Sequence, residues 1–184
     1  MTNFVYDPKR QGYDTSLWKS LAGTPAISSD KLRLNADEIV SYVDMYGCDL
    51  TMRITIPAVP TAGDVRRFGL ASVGFGAYIV FDITDDVFTI YANDGKGNTK
   101  SEIVAFDAAW AADDIDFEIR WRGTYADFLI RGVHVLTPAN VDGATYRITD
   151  IAIPKGPLSI YFKNSNSDNM DISSINAKNI QTLI

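Results

Sequence analysis

Three carboxylates stand two residues apart in the stretch DDIDFEIRW (113–121): Asp114, Asp116 and Glu118. On a strand that spacing puts all three on one face. Glycoside hydrolysis uses such a geometry, with one acid attacking the sugar carbon while another protonates the leaving oxygen. The solvent face of an ordinary strand has the same spacing. A second oxygen-rich run, NSNSDNMD (164–171), places Asn164, Asn166 and Asp168 alternately with Asp171 beyond them, in the manner of a calcium loop. It lacks the glycine at the sixth position and the distal bidentate glutamate of an EF-hand, so a polar turn is the first reading. No cofactor is expected, and calcium is the one ion these loops admit. Asn93 and Asp94 in NDGKGN (93–98) offer oxygens too, but a hairpin turn explains that run in full. Cys48 and His134 are the only residues of their types. No intrachain disulfide or cysteine-based metal site can be assembled, and a thiol nucleophile would need both groups to converge.

Stacking chemistry has more candidates, with three tryptophans and nine tyrosines. Trp121 alternates in phase with Phe117 and Ile119 and reads as core. Trp110, in AAWAADD beside Asp107 and Asp113, is the leading exposed candidate for a ligand platform. Tyr46, Tyr78 and Tyr125 follow, with Tyr42 behind them. An exposed tryptophan serves a protein partner equally well. GLASVGFGAY (69–78) is rich in glycine but lacks the Gly-Lys-Ser/Thr of a phosphate loop and a following helix. Glycine within strands marks a bulge, a bend or close backbone approach.

The elements that must position these residues are strands. KLRLNAD (31–37) and DLTMRITIP (49–57) alternate with the period of two that buries one face, and Pro57 closes the second run. RFGLASVGF (67–75), AYIVFDI (77–83), VFTIYAND (87–94), SEIVAF (101–106), DFEIRWRG (116–123), YADFLIRGVHVL (125–136), TYRITDIAI (145–153), LSIYFKN (158–164) and MDISSINAKNI (170–180) continue the series. Turn-formers separate them, and Asn93-Asp94-Gly95 predicts a tight hairpin. Only FDAAWAADD (106–114) admits a turn of helix. Many short strands with turn punctuation predict an all-β, two-sheet antiparallel sandwich. We expect one domain over 1–184, with 1–16 a polar N-terminal arm lying on a neighbour.

A chain of 184 residues with 46% hydrophobic and 22% charged residues has enough material for a full core. Its formal net charge of -6 repels phosphate backbones, so nucleic acid is not expected as a partner. No apolar stretch approaches the ~20 residues of a membrane span. The opening MTNFVYDPKRQGYD lacks the charged start and apolar run of a signal peptide. The expectation is synthesis in a reducing cytoplasm, with a virus particle as one destination.

The order of segments is similar to a known family. Trp18 leads a turn, the alternating strand KLRLNAD and the polar strand DLTMRITIP; DFEIRW, GTYA and DFLIRG precede VHV; PLSIYFKNSNSDNMDISSINAKNI closes the chain. Together these patterns resemble the concanavalin A-like lectin/glucanase superfamily, a jelly roll of two curved antiparallel sheets, over most of the chain. The resemblance implies two occupations. Laminarinase-like hydrolases carry Glu-x-Asp-x-x-Glu or a close variant on a strand of the concave sheet, whereas lectins and non-enzymatic members bind sugars or proteins there or on edge loops.

DIDFE imitates the catalytic motif imperfectly. Asp114 is one methylene shorter than the family's glutamate, and a misplacement of about 1 Å can cost ~100-fold. DIDFE also runs directly into the "charged strand, Trp, hairpin" unit, which the catalytic strand of the enzymes precedes by several dozen residues. Where that strand belongs, AYIVFDITDDVF offers Asp82, Asp85 and Asp86 and no glutamate. The expectation is therefore a strand face: Phe117, Ile119 and Trp121 inward, and Asp116, Glu118 and Arg120 outward, pairing with Arg131 or Arg147. For function, a non-enzymatic structural or adhesion module is expected first, such as a phage decoration or fibre component that self-associates or meets protein partners. The alternative is a carbohydrate-binding, lectin-like domain with glycan partners, and a glycoside hydrolase comes third.

Overall fold

The structure, a computed structural model, describes residues 3–56, 63–85, 87–104, 113–131, 133–134, 147–149, 151–165 and 168–180. The first half of the chain forms β1 (Asn3–Tyr6), β2 (Trp18–Ala22), β3 (Ala26–Ser28), β4 (Lys31–Leu34), β5 (Glu38–Met45), β6 (Cys48–Thr55), β7 (Val65–Ala71) and β8 (Tyr78–Thr84). The second half forms β9 (Val87–Asn93), β10 (Thr99–Val104), β11 (Asp114–Trp121), β12 (Tyr125–Ile130), β13 (Val133–His134), β14 (Arg147–Thr149), β15 (Leu158–Asn164) and β16 (Met170–Asn179). One helical turn, α1 (Pro8–Gln11), starts where the Asp7 carboxylate accepts from the Lys9 N–H and Pro8 presets the first φ.

The strands build two antiparallel sheets. The nine-stranded sheet runs β3-β4-β16-β6-β11-β12-β13, with β1 also on β16 and β14 also on β12. The seven-stranded sheet runs β10-β9-β8-β7-β15-β5-β2. This is the all-β antiparallel sandwich that the alternation predicts, and the jelly roll that the resemblance implies. Between the sheets lies one large apolar cluster, to which Leu50, Met52, Ile54, Phe117 and Ile119 contribute from one side and Phe68, Phe81, Ile160 and Phe162 from the other. Phe81 meets Phe117 edge-on at 5.2 Å and Phe128 at 5.2 Å and 89°, tying the two sheets together.

Several local expectations change. The segment 125–136 is not one strand: the chain reverses at Arg131, at a φ of 52°, and Val133–His134 pairs back on Leu129–Ile130. NDGKGN is a five-residue loop between Asn93 and Thr99 rather than a two-residue hairpin. The Asp94 carboxylate organises it by accepting from the Lys96 and Asn98 N–H groups and the Asn98 amide. The helical turn expected at 106–114 falls mostly outside the described residues.

The start of the chain also behaves differently from a polar arm reaching to a neighbour. Asn3–Tyr6 pairs in register with Ile175–Lys178 of β16. Phe4 and Tyr6 are buried, and both meet Trp18 edge-on, at 5.7 and 5.4 Å. Phe162 closes the other side of the Trp18 ring at 6.0 Å. FVY has the period of two that buries alternate residues, and the polar residues after it supply the cap and the turn.

Candidate functional site

The opening ladder lies on the nine-stranded sheet, on the outer face of β11. Ile115, Phe117, Ile119 and Trp121 are buried, while Asp114, Asp116 and Glu118 are exposed or half-exposed. Their partners differ from those expected. Asp114 accepts from Lys31 at 2.6 Å and also from Thr55 and Ser173. Partial burial works against its charge, but Lys31 and the two hydroxyls hold the carboxyl below its ordinary range. Asp116 lies 3.4 Å from Arg53 on β6, and Glu118 lies 3.1 Å from Arg120 on its own strand. Arg131 binds Asp113, and Arg147 binds Asp127 through two hydrogen bonds of 2.7 and 2.9 Å. The cross-strand register, Asp116 opposite Arg53, decides the pairing.

Other sequence candidates are dispersed. Tyr125, on β12, is covered by the Arg147 guanidinium at 3.7 Å from its ring centroid. Tyr46 is exposed at the β5–β6 turn. Trp110 lies outside the described residues. In the calcium candidate, Asn164 is buried and its amide nitrogen donates to the carbonyls of Leu34 and Asp168. Asp171 holds Arg33 through two bonds of 2.8 Å, and Arg66 lies 4.0 Å from Asp168. Asn166 is outside the described residues. With guanidinium groups already on Asp168 and Asp171, the described part of this loop is an ion-paired turn. Cys48 is buried, its thiol pushed up to about 12 by burial and then by Asp49. Its strand, β6, stands three places from β13, which carries His134.

Tyr78 leads to a site. It is 7% exposed although it points away from the core between the sheets, and so do Val40, Ala71, Val80 and Tyr161, all buried and packed as a second, smaller cluster. Their neighbours cover them: Phe75 packs on Tyr78 and Tyr161, and Tyr91 on Tyr78. With the small Ala71 and Gly69 of β7 set between Tyr78 and Tyr161, the outer face of the seven-stranded sheet carries a trough. Its rows follow from the strand register. One row is Tyr91–Val80–Gly69–Tyr161–Val40 across β9, β8, β7, β15 and β5. Beside it on one side runs Asn93–Tyr78–Ala71–Ser159–Asp44, and on the other Thr89–Asp82–Arg67–Lys163–Glu38.

The third row is a charge ladder. Arg67 donates to Asp82 at 2.6 Å, and Thr84 donates to the other oxygen of that carboxylate at 2.6 Å. Lys163 lies 3.1 Å from Glu38, which also accepts from the Tyr161 hydroxyl at 2.8 Å. The aromatic residues of the other two rows interlock: Tyr78 and Tyr91 meet edge-on at 5.0 Å, and Phe75 stacks on Tyr78 at 4.2 Å and 11°. Burial, followed by the neighbouring Tyr91 hydroxyl, pushes the Tyr78 phenol up to about 12. Burial and then Glu38 raise Tyr161 as well. Both phenols stay protonated at neutral pH and can donate or accept hydrogen bonds.

Of this trough, sequence reasoning named Tyr78 and noted Asp82. It missed Phe75, Tyr91, Tyr161, Arg67 and Glu38. The available signal was the period-two series Tyr78-x-Val80-x-Asp82 in YIVFDIT, with Ser159-x-Tyr161-x-Lys163 in LSIYFKN. The polar ends Asp82 and Lys163 mark the outward side of each run, but alternation does not say which strands stand beside it.

With this geometry in place, comparison with solved structures is informative. The fold is a jelly-roll sandwich of the concanavalin A-like kind. A prokaryotic β-1,3-1,4-glucanase (lichenase) derived from a mouse hindgut metagenome aligns with a TM-score of 0.67 at 15% identity, covering 98% of this chain and 100% of that one. The Crh5 transglycosylase in complex with NAG aligns at 0.69 and 14% identity, over 98% of this chain and 85% of that one. The Emp47p carbohydrate recognition domain aligns at 0.64 and 7% identity, over 94% and 93%. No protein-family model matches the sequence, and no curated protein matches it. These likenesses overturn the expectation of a virion decoration or fibre module, because the three solved structures named are a glucanase, a transglycosylase and a carbohydrate recognition domain. The lectin-like alternative fits them better. Among the described residues, no helix is long and apolar enough to cross a membrane.

Proposed function

We propose that this protein binds glycan chains along the trough of its seven-stranded sheet, and that it does so without cleaving them. The observation that carries the reading is the pairing, on one outward face, of the aromatic group Tyr78, Tyr91 and Tyr161 with the ladder Asp82–Arg67–Lys163–Glu38. Pyranose rings present apolar faces to aromatic rings and a belt of hydroxyls to charged and amide groups, and this face offers both. The β-glucan-active and carbohydrate-recognising proteins of the same fold support the choice of ligand class.

The non-hydrolytic half rests on carboxylate spacing. Asp82 and Glu38 share a row but stand three strands apart, and at ~4.8 Å per strand this separates them by about 14 Å. A retaining pair needs about 5 Å and an inverting pair about 6.5–9.5 Å. Asp82 is also held by Arg67 and Thr84, which favours a fixed hydrogen-bonding role.

Affinity electrophoresis and titration calorimetry with mixed-linkage β-glucan and laminarin test both halves. Retardation of the wild-type protein is expected, weakened about 3- to 10-fold by Tyr91→Ala, the loss of one aromatic contact of about 0.5–1.5 kcal/mol. Absence of binding to these glucans and across a broad glycan array would refute the glycan reading. Release of reducing ends, abolished by Asp82→Asn or Glu38→Gln, would instead establish hydrolysis.

A further inference from the structure

Between Tyr78 on β8 and Tyr161 on β15 lies β7, whose outward positions opposite these two rings are Ala71 and Gly69. Two large rings flanking two small residues leave a slot about two strand spacings wide, ~9.6 Å, enough for one planar ring with a stacking distance on either side. The slot is filled from within the chain. The Phe75 ring lies nearly parallel to Tyr78 at 4.2 Å and reaches Tyr161 at 5.1 Å, and the Arg67 guanidinium approaches it at 5.2 Å.

Phe75 enters from the β7–β8 turn. That turn is closed at its base by Ser72, whose N–H donates to the Ala77 carbonyl at 2.8 Å and whose Oγ accepts from the Ala77 N–H at 2.9 Å. At its tip the chain reads Val73-Gly74-Phe75-Gly76, with Val73 66% exposed and nothing within 4 Å of the space a Gly74 side chain would take. Phe75 itself has a φ of 56°, the left-handed region that a bulky residue enters only when its surroundings hold it there. The Phe75 ring is thus held in a ring-shaped slot by stacking, and its N–H donates to the Ser72 carbonyl at 2.9 Å, on a turn that is strained locally and open at its tip.

We propose that the Tyr78–Tyr161 slot is a single-residue saccharide subsite, and that Phe75 occupies it as an internal stand-in which a pyranose ring displaces. The proposal rests on the glycan-binding reading and deepens it. The rim suits a sugar: Arg67, Asp82, Ser159 and Glu38 lie beside the slot and can meet the equatorial hydroxyls of a ring stacked between two tyrosines. Displacing Phe75 lowers the apparent affinity of the native protein by the fraction of molecules with the slot open.

Titration calorimetry with a mixed-linkage β-1,3-1,4-gluco-oligosaccharide tests this on wild type, Phe75→Ala and Phe75→Leu. In parallel, the protein is labelled with 4-fluorophenylalanine and the residue-75 fluorine signal is identified by its loss in Phe75→Leu. The expected results are binding about tenfold tighter in Phe75→Ala, a smaller gain in Phe75→Leu, and movement of the residue-75 signal toward its solvent-exposed position as the wild type saturates. Unchanged or weaker binding in both variants, with the fluorine signal unmoved, would overturn the subsite while leaving glycan binding intact. Binding by none of the three proteins would overturn the glycan reading and the subsite with it. Should Phe75→Ala fail to fold, Phe75→Leu and the fluorine signal decide between these outcomes.

Discussion

Gly69 offers a quantitative check on how closely the trough is backed by the core. Its φ is 145°, a region open to glycine and closed to other residues. A Cβ added there would stand 2.6 Å from the Ile79 carbonyl oxygen, 2.8 Å from Ile119 Cδ1 and 3.0 Å from Val80 Cα. Two of these three atoms are backbone of the neighbouring strand and cannot yield cheaply; the third is the tip of the Ile119 side chain from the opposite sheet. Strain of about 1–3 kcal/mol for the backbone and a similar amount for overpacking put Gly69→Ala at roughly 3–5 kcal/mol. For a chain of this size that lowers Tm by about 10–15 °C. Gly12→Ala is the matched control: φ is 65° and nothing lies within 4 Å of its added Cβ. With ψ at -163° it has the cost of a backbone that glycine alone adopts readily, about 1–3 kcal/mol, or ~2–10 °C, and no packing clash added to it. Thermal unfolding by circular dichroism, supported by urea midpoints at unchanged m-value, reads both. A Gly69→Ala protein melting within about 3 °C of Gly12→Ala would refute the close approach of β7 to β8 and Ile119.

Three further outcomes follow from the packing and charges. Removing residues 1–7 deletes β1 and uncovers Trp18; by analogy with losing a buried aromatic, stability falls by about 3–5 kcal/mol and tryptophan emission shifts to the red. Asp114 titrates below its ordinary range in the folded protein, so its contribution is present above the unfolded pKa near 3.9 and is lost as pH falls toward the folded value. The difference in urea midpoint between wild type and Asp114→Asn should therefore shrink between pH 6 and pH 3; a difference that grows on acidification would reverse the sign. The Cys48 thiol, buried and pushed up to about 12, should resist a thiol-directed disulfide reagent at pH 8 until denaturant is added. Stoichiometric labelling of the native protein within minutes would contradict its burial.

Much of the sandwich could be read in the chain. On β11, alternation separates Ile115, Phe117, Ile119 and Trp121 from the wet ladder, and the structure keeps that division. Alternation is local: residues two apart share a face whatever the strand pairs with. It falls short in two circumstances. Where a strand is buried on both faces, as β8 is from Tyr78 to Ile83, the pattern does not show that its outward side is covered. Where function needs residues from several strands, adjacency depends on register between distant segments.

That second limit defines the trough. Tyr161 and Glu38 are 123 residues apart in the chain and 2.8 Å apart in space. Asp82, Arg67, Lys163 and Glu38 form a row only because β8, β7, β15 and β5 are neighbours in that register. Phe75, in a glycine-rich turn, reads in sequence as a bend; the bend then folds its ring back between two tyrosines. Chain-local periodicity determined that this protein is an antiparallel sandwich and which faces of its clearly amphipathic strands are wet. The tertiary structure alone decided which strands became neighbours, because pairing energy is gained between segments that the chain itself keeps far apart.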